Sequence, residues 1–327
     1  MVKDWRPGAS LDTLRRAASL RQGLRGYFDT TGALEVITPV LSRSGAPEPA
    51  IEAFDTRATE RDGHLWLQTS PEFAMKRLVA AHGRDVWQLA SVFRRAERGR
   101  RHNVEFQLLE WYRIGHDLEA LIGDVCALLK HAVGDAAPFD RTPVIRRYGV
   151  CVREVLGDWP EHVTVPGVRA RFEGAGRHFP AGIGDDELDA ALHLLFDTFV
   201  VPRFDTDRPT FVVDYPPSQA SLARCTVDRD GRTVAARVEL YAGEVELANG
   251  FHELTDADEQ RRRFESELSV RRANGQPLPP LDEAFLAALS CGLPDCAGIA
   301  LGVDRLLMVA IGATSLDEVM SFADGRC

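Results

Sequence analysis

The sequence predicts an α+β fold, an antiparallel β-sheet flanked by helices, and three stretches carry that prediction. Residues 86–93 and 104–112 are rich in β-branched and aromatic side chains and flank a short basic loop, which makes them two antiparallel strands. Residues 238–241 and 244–247 flank Ala242-Gly243, a two-residue hairpin loop. The third stretch, Gly298-Ile299-Ala300-Leu301-Gly302, is a glycine-rich strand that runs into an apolar helix through Leu306, Leu307 and Met308. At 327 residues the chain has room for one large domain or two modest ones.

Ser10 caps a helix through Leu11, Leu14, Leu20, Leu24 and Phe28, which Gly32 ends. Its apolar stripe packs either against this chain's own core or against a second subunit. A strand follows toward Ile37-Thr38-Pro39, residues 65–69 read as a strand, and residues 71–80 as a helix. Beyond the basic hairpin, residues 118–133 form another helix. The stretch from about 135 to 209 holds proline and glycine pieces and one helix near 186–199, so it is expected as an insertion packed beside the sheet, not as a separate domain. Thr255 with Asp258 forms a capping box for a helix through Arg272, and Asp282 caps another through Leu289.

A net charge of −10 disfavours a broad basic face for RNA, because such affinity comes from many neutralised phosphates. Of the 39 basic residues only Lys3, Lys76 and Lys130 are lysines, a bias of the kind a GC-rich genome produces. Cys126, Cys151, Cys225, Cys291, Cys296 and Cys327 contain no CxxC pair, and Cys291 and Cys296 are spaced loosely for zinc. Reduced thiols in a cytosol are the expectation. Met1 to Ser10 includes Asp4, Arg6 and Pro7 without an apolar core, so no signal peptide is expected, nor is any apolar run long enough to span a bilayer.

Arg305 lies between the glycine-rich strand and the apolar helix, where an obligate cation suits a phosphate or a flat ring. An exposed arginine opening an ordinary helix has the same local sequence. The loop between Phe93 and Phe106 carries Arg94, Arg95, Arg98, Arg100, Arg101 and His102, cations that repel one another unless an anion lies among them. Phe106 and Trp111 add aromatic surface of the kind a nucleotide uses. With Ala242-Gly243 as the turn, Glu239 stands directly opposite Glu246, about 5 Å away, an arrangement that is destabilising unless a cation bridges it. Mg2+, with its oxygen ligands, does so and also meets ATP phosphates, although both glutamates can instead face solvent on an edge hairpin. Glu246 and Asn249 are three apart, on opposite faces of a regular pleat, so Gly250 is expected to mark a bulge or bend.

These runs, with residues 11–41, resemble motifs 2, 3 and 1 of the class II aminoacyl-tRNA synthetases. Thr69-Ser70-Pro71-Glu72, Arg101-His102-Asn103-Val104-Glu105-Phe106, Leu109-Glu110-Trp111-Tyr112-Arg113 and Glu246-Leu247-Ala248-Asn249-Gly250-Phe251-His252-Glu253-Leu254 follow in the order of the lysyl branch. With Pro294-Asp295-Cys296 and the Arg305 run, they are most similar to short paralogues of that branch that attach (R)-β-lysine to elongation factor P. The resemblance spans almost the whole chain. It implies a class II catalytic core, ATP and Mg2+, a cytoplasmic homodimer joined through the motif 1 helix, and activation of β-lysine or lysine as an acyl-adenylate. A lysine amine of elongation factor P would then take the acyl group. Because the motif 1 helix starts near Ser10, a single domain over residues 1–327 without an anticodon-binding module is expected, and tRNA is not the expected acceptor.

By that resemblance Arg94 bridges the substrate carboxylate and the α-phosphate, while His102 and the loop arginines steady the outer phosphates. Phe106 and Arg305 sandwich the adenine, Asn103 lies at its edge, Gly302 gives the backbone close approach, and Glu239 and Glu246 hold the metal. Ser70 and Glu72 hold the amino group near the carboxylate, with Asn249 and Ala300 in the same pocket. Glu253 and the Tyr112 hydroxyl take the terminal ammonium, a selective arrangement because a substrate without that ammonium leaves a buried carboxylate unpaired.

Three positions depart from the lysyl pattern. Ala96 replaces an acidic residue that reads the adenine edge, with Glu97 one place later as its substitute. Val104 replaces a proline, which softens the loop. Ala300 replaces the glycine of lysyl-tRNA synthetases, and its methyl reshapes the space around the substrate's amino group. Two other readings share the motifs: a truncated lysyl-tRNA synthetase acting on tRNA, and a non-catalytic regulatory subunit. Such subunits usually lose motif arginines or metal carboxylates, and Arg94, Glu239, Glu246 and Arg305 are all present.

Overall fold

The computed structural model describes residues 5–57 and 63–326, which leaves Lys3, Asp4 and Cys327 outside. Helix α1 (Leu11–Thr31) begins where Ser10 accepts the Thr13 N–H and ends where Gly32 turns left-handed at φ 72°. Its buried stripe of Ala17, Leu20, Leu24, Tyr27 and Phe28 packs inside this chain, with Phe28 stacked on Trp87 at 4.6 Å between ring centroids. That stripe is therefore core, while Trp5 and Leu11 at its start and Leu34, Ile37, Val40 and Leu41 beyond it are exposed.

Short strands β1 (Leu34–Glu35), β2 (Leu41–Ser42), β3 (Asp55–Thr56) and β4 (Leu65–Leu67) precede α2 (Glu72–His82), the long strands β5 (Val86–Phe93) and β6 (Glu105–Ile114), and α3 (Leu118–Val133). The proline-rich region folds as β7 (Val144–Arg147), α4 (Tyr148–Leu156), α5 (Val165–Gly174) and α6 (Leu188–Leu195). The chain returns through β8 (Pro209–Tyr215), β9 (Cys225–Val227), β10 (Thr233–Ala242), β11 (Val245–His252), α7 (Ala257–Ala273), α8 (Glu283–Gly292), β12 (Cys296–Gly302) and α9 (Val303–Ala310).

Among the described residues the main sheet runs β1-β5-β6-β12-β11-β10-β8-β7, with β9 on β10, and β2-β4-β3 form a smaller sheet. Every pairing from β5 across to β8 is antiparallel; only the outer pairs, β1 with β5 and β7 with β8, are parallel. The 135–209 region thus lends the sheet an edge strand, and Tyr148, Phe172 and Phe196 from its helices join the core on one face. The other face is covered by α1, α3 and α9. Period-two alternation sorts β6 between these faces: Leu109 and Trp111 enter the α1 side, and Leu108, Glu110 and Tyr112 the opposite side.

Two local expectations are corrected. Ala242 pairs with Val245, so the turn is Gly243-Glu244 and not Ala242-Gly243; its first position has φ 54°, which glycine adopts freely and alanine does not. Tyr241 then faces Glu246, Glu239 faces Asn249, and the extra residue Leu247 is a β-bulge. That bulge, and not Gly250, brings Glu246 and Asn249 to one face. Gly250 stays in register with Val238, and a Cβ there would lie 2.7 Å from the Ile299 Cβ. Helix α7 is also capped one residue later than expected, by Asp256, whose carboxylate accepts the N–H groups of Asp258 and Glu259.

Candidate active site

The sheet face turned away from α1 floors a cavity of about 730 Å³, and the residues given individual roles above for ATP, metal or substrate line it; Trp111, expected as nucleotide surface, is instead buried on the α1 side, and of the loop arginines only Arg94 and Arg101 reach the cavity. The middle of the floor is β12, whose Gly298, Ala300 and Gly302 face the cavity while Ala297, Ile299 and Leu301 enter the core behind. A Cβ on Gly298 would stand 2.3 Å from the Tyr112 ring and 2.8 Å from Glu253 Oε1, so glycine is what lets those side chains meet across the strand. Gly302 differs: a Cβ there would find no atom of the chain nearer than 3.8 Å. Ala300 sits between Glu110 and Asn249 on the neighbouring strands.

One end of the cavity is a cluster of carboxylates around a single ammonium. The Tyr112 hydroxyl donates to Glu110 Oε1 at 2.7 Å, and Glu110 Oε2 is buried with no partner. Lys76, 1% exposed, places Nζ 2.6 Å from Glu72 Oε1 and 2.6 Å from Glu253 Oε2, the second contact lying off the angle of a hydrogen bond. The ring centroids of Tyr112 and Phe285 lie 5.9 and 5.8 Å from that ammonium. Burial pushes the Glu110 and Glu253 carboxyls up to about 8. Burial also opposes the Lys76 charge, but Glu253 and Glu72 outweigh it and hold the lysine protonated. Ser70 Oγ, beside the cluster, accepts the Glu72 N–H at 3.4 Å. Glu110 and Lys76 went unassigned in the sequence, although Glu110 is two places before Tyr112 on one strand face and Lys76 is one helical turn after Glu72.

The other end is cationic. Arg94 donates to the Thr69 carbonyl at 3.4 Å and to Glu97 at 3.0 Å, and its guanidinium lies 5.2 Å from the Phe106 ring centroid. Arg305 donates to the backbone carbonyls of Arg101 and Glu246, both at 3.0 Å, so it ties the basic loop to the hairpin. Burial and then Arg305, with Arg94 and Arg101, keep the His102 imidazole below its ordinary value. Asn103 is 5% exposed and its amide is already used within the chain: Nδ2 donates to the Glu105 carbonyl at 2.6 Å and Oδ1 accepts the Asp324 N–H at 2.7 Å. Glu97, paired with Arg94, likewise has a partner of its own.

Arg237, also unassigned in the sequence, joins Asn249 to Glu239. It donates to Asn249 Oδ1 at 3.1 Å, to Glu239 Oε1 at 2.6 Å and to the Gln219 carbonyl at 2.9 Å. Glu239 Oε2 also accepts the hydroxyls of Tyr215 at 2.6 Å and Tyr241 at 2.5 Å. Burial works against this charge, but Arg237 and the tyrosines hold the carboxyl below its ordinary value. Glu246 keeps 44% of its side chain open to the cavity, yet crowding by protein and the repulsion of Glu239 push it up to about 7. An ionised carboxylate beside one that its neighbour resists ionising is a donor set that a hard divalent cation completes. Among the described residues no three His, Cys, Asp or Glu side chains gather as a metal site, so these two would leave most coordination positions to water and phosphate oxygens.

Residues 2–326 match the family model of tRNA synthetases class II (D, K and N). The chain belongs to that family. It is accordingly an ATP-dependent ligase, as the sequence motifs implied. It is 40% identical over 324 residues to the elongation factor P--(R)-beta-lysine ligase of Histophilus somni (strain 2336), covering 98% of this chain and 97% of that one. The ligase of the same name from Salmonella paratyphi B is 41% identical over 329 residues, 98% of each chain. No described helix is long and apolar enough to cross a membrane.

Proposed function

We propose that this chain activates (R)-β-lysine or lysine with ATP and transfers the acyl group to a lysine side chain of elongation factor P. The observation that carries the reading is the cavity's division, with the carboxylates of Glu72, Glu110 and Glu253 at one end and Arg94, His102 and Arg305 at the other, about a floor of small residues. A diamino acid laid along that floor meets carboxylates with its terminal ammonium and cations with its carboxylate. The names of the relatives favour elongation factor P as acceptor over tRNA, as does the net charge of −10.

In the first step a carboxylate oxygen of the amino acid attacks the α-phosphorus of ATP and the bond to the pyrophosphate oxygen breaks. In the second, an acceptor amine attacks the acyl carbon and AMP leaves. Neither step needs a side-chain nucleophile, so positioning and charge stabilisation do the work. Arg94 holds the substrate carboxylate against the α-phosphate, which draws it from Glu97, and His102 with Arg101 receives the outer phosphates. Phe106 and Arg305 take the two faces of the adenine above Gly302, and Asn103 acts by fixing the loop at the ring's edge. Ser70, Glu72 and Asn249 position the amino group beside Ala300, and Glu253, Tyr112 and Glu110 receive the terminal ammonium. Glu239 and Glu246 would hold Mg2+, which when bound neutralises phosphate charge.

The exposed Leu34, Ile37, Val40 and Leu41 form an apolar strip that a second copy of the chain would cover, and a cytoplasmic homodimer follows from this reading. ATP–pyrophosphate exchange across a panel of amino acids, followed by transfer to elongation factor P or to tRNA, tests the proposal. Exchange with lysine-type diamino acids and transfer to the protein acceptor are expected. Exchange confined to amino acids with one amino group, or transfer to tRNA alone, overturns it.

A further inference from the structure

The carboxylate cluster already holds a cation belonging to the chain. Lys76 is one of two lysines among the described residues, and its ammonium is 1% exposed, 2.6 Å from Glu72 and 2.6 Å from Glu253. Phe285 and Tyr112 wall it in. Two oxygens of the cluster accept no hydrogen bond: Oε2 of Glu253, which has the Lys76 ammonium beside it, and Oε2 of Glu110, a residue 2% exposed and lining the same cavity, which has no cation of the chain against it. We propose that Lys76 is a positioning residue that fills one of two cation places in the cluster with the chain's own ammonium and leaves the second, at Glu110, to the terminal ammonium of the substrate. This rests on the function proposed above.

The two buried carboxylates, Glu110 and Glu253, would resist ionising together with no fixed cation beside them, and a protonated carboxyl is a weak partner for an ammonium. Lys76 opposes that protonation at Glu253, where its charge and its contact both favour the carboxylate. It also fixes distances. Glu72 sits at the start of α2 and Glu253 just beyond β11, and the ammonium between them ties the start of that helix, two places after Ser70, to the floor of the pocket. The substrate's two ammonium groups are then read at a set separation, one near Ser70 and Glu72 and one at Glu110. A catalytic part is not implied, because Lys76 is held protonated and cannot act as a nucleophile toward the adenylate.

Exchange kinetics of Lys76→Met against the parent test this. The KM for the diamino acid should rise by at least about tenfold, as expected when one partner of a buried charge pair is removed, while the KM for ATP stays put. Lys76→Ala leaves a gap of the shape of n-propylammonium, and adding that amine should restore the amino-acid KM where n-propanol does not. Equal changes in both KM values, or none, overturn the proposal. If the methionine variant does not fold, the alanine variant purified with n-propylammonium decides: recovery of the amino-acid KM supports the assignment, and recovery of solubility alone overturns it. A parent protein that exchanges with no diamino acid removes the proposed function itself, whereas an active parent with indifferent variants removes only the role of Lys76.

Discussion

Adding one methyl group at Gly298 tests the substrate end of the cavity without replacing a charged residue. The new Cβ would lie 2.3 and 2.4 Å from two carbons of the Tyr112 ring and 2.8 Å from Glu253 Oε1. The backbone of residue 298 is not in the left-handed region, so space alone decides the outcome. To regain a carbon–carbon separation of about 3.5 Å the ring must retreat by about 1 Å. Tyr112 is 2% exposed and closely packed, so the move costs about 1–3 kcal/mol of stability, as overpacking does. It also pulls the hydroxyl off Glu110 Oε1, now 2.7 Å away, and crowds Glu253.

Displacements of this size cost up to about a hundredfold in rate when they misplace a reacting group, and here they fall on the ammonium site alone. The Gly298→Ala variant should therefore lose kcat/KM for the diamino acid by about tenfold to a hundredfold while its KM for ATP stays within about twofold of the parent. Pyrophosphate exchange with each substrate titrated in turn, beside a thermal melt, reads both effects. An unchanged amino-acid KM in a folded variant would mean that Tyr112 and Glu253 do not meet the substrate.

Four further outcomes are expected. Arg305→Ala should abolish exchange and cost about 1–2 kcal/mol of stability in a melt, because two backbone carbonyls lose a donor; near-parental exchange would sink its role at the nucleotide. Glu246→Gln should weaken the dependence on Mg2+ and cost several kcal/mol of transition-state stabilisation, and superimposable magnesium titrations would show that it is no ligand. Ala300→Gly should favour α-lysine over β-lysine by about tenfold in the ratio of kcat/KM values, the scale of one methyl, and an unmoved ratio places selectivity near Ser70 and Glu72 instead. Glu110, raised to about 8 and with Oε2 free of a partner, holds a proton that an arriving ammonium displaces, so the diamino-acid KM should fall as pH rises toward about 8, by at most about tenfold per unit. Folding carries the opposite sign: Glu110 and Glu253 favour the folded, empty protein most below the ordinary carboxylate range, and that contribution is lost as pH rises through about 8. A KM that climbs over this range contradicts the assignment.

What was legible in the sequence was local. The caps of α1 and α8, the span of α3 and the basic hairpin all follow from short-range chemistry, and the structure repeats them. The α7 cap slipped by one because Thr255 and Asp256 both suit the place and only the backbone geometry chooses between them. Lys76 and Arg237 were illegible for a different reason. Each is a cation whose partners come from elsewhere in the chain, Glu253 for Lys76 and Gln219 and Asn249 for Arg237, so no short window shows that they are buried. Glu110 was readable in principle, since the period of two that aims Tyr112 at the cavity aims it there as well.

The hairpin shows why a wrong register left the chemistry standing. Opposing Glu246 with Tyr241 in place of Glu239 shifts the pairing by two residues, and a shift of two keeps every side chain on its face. Both glutamates therefore still look into the cavity, and Glu239 still pushes Glu246 up. The bulge at Leu247 adds what a regular hairpin lacks, because it turns Asn249 to the side of Glu246 and places it opposite Glu239. Arg237, two places before Glu239 and so on the same face, can then bind Glu239 and Asn249 at once. One inserted residue thereby couples the carboxylate proposed for the metal to the amide proposed for the amino acid, through a single part-buried guanidinium.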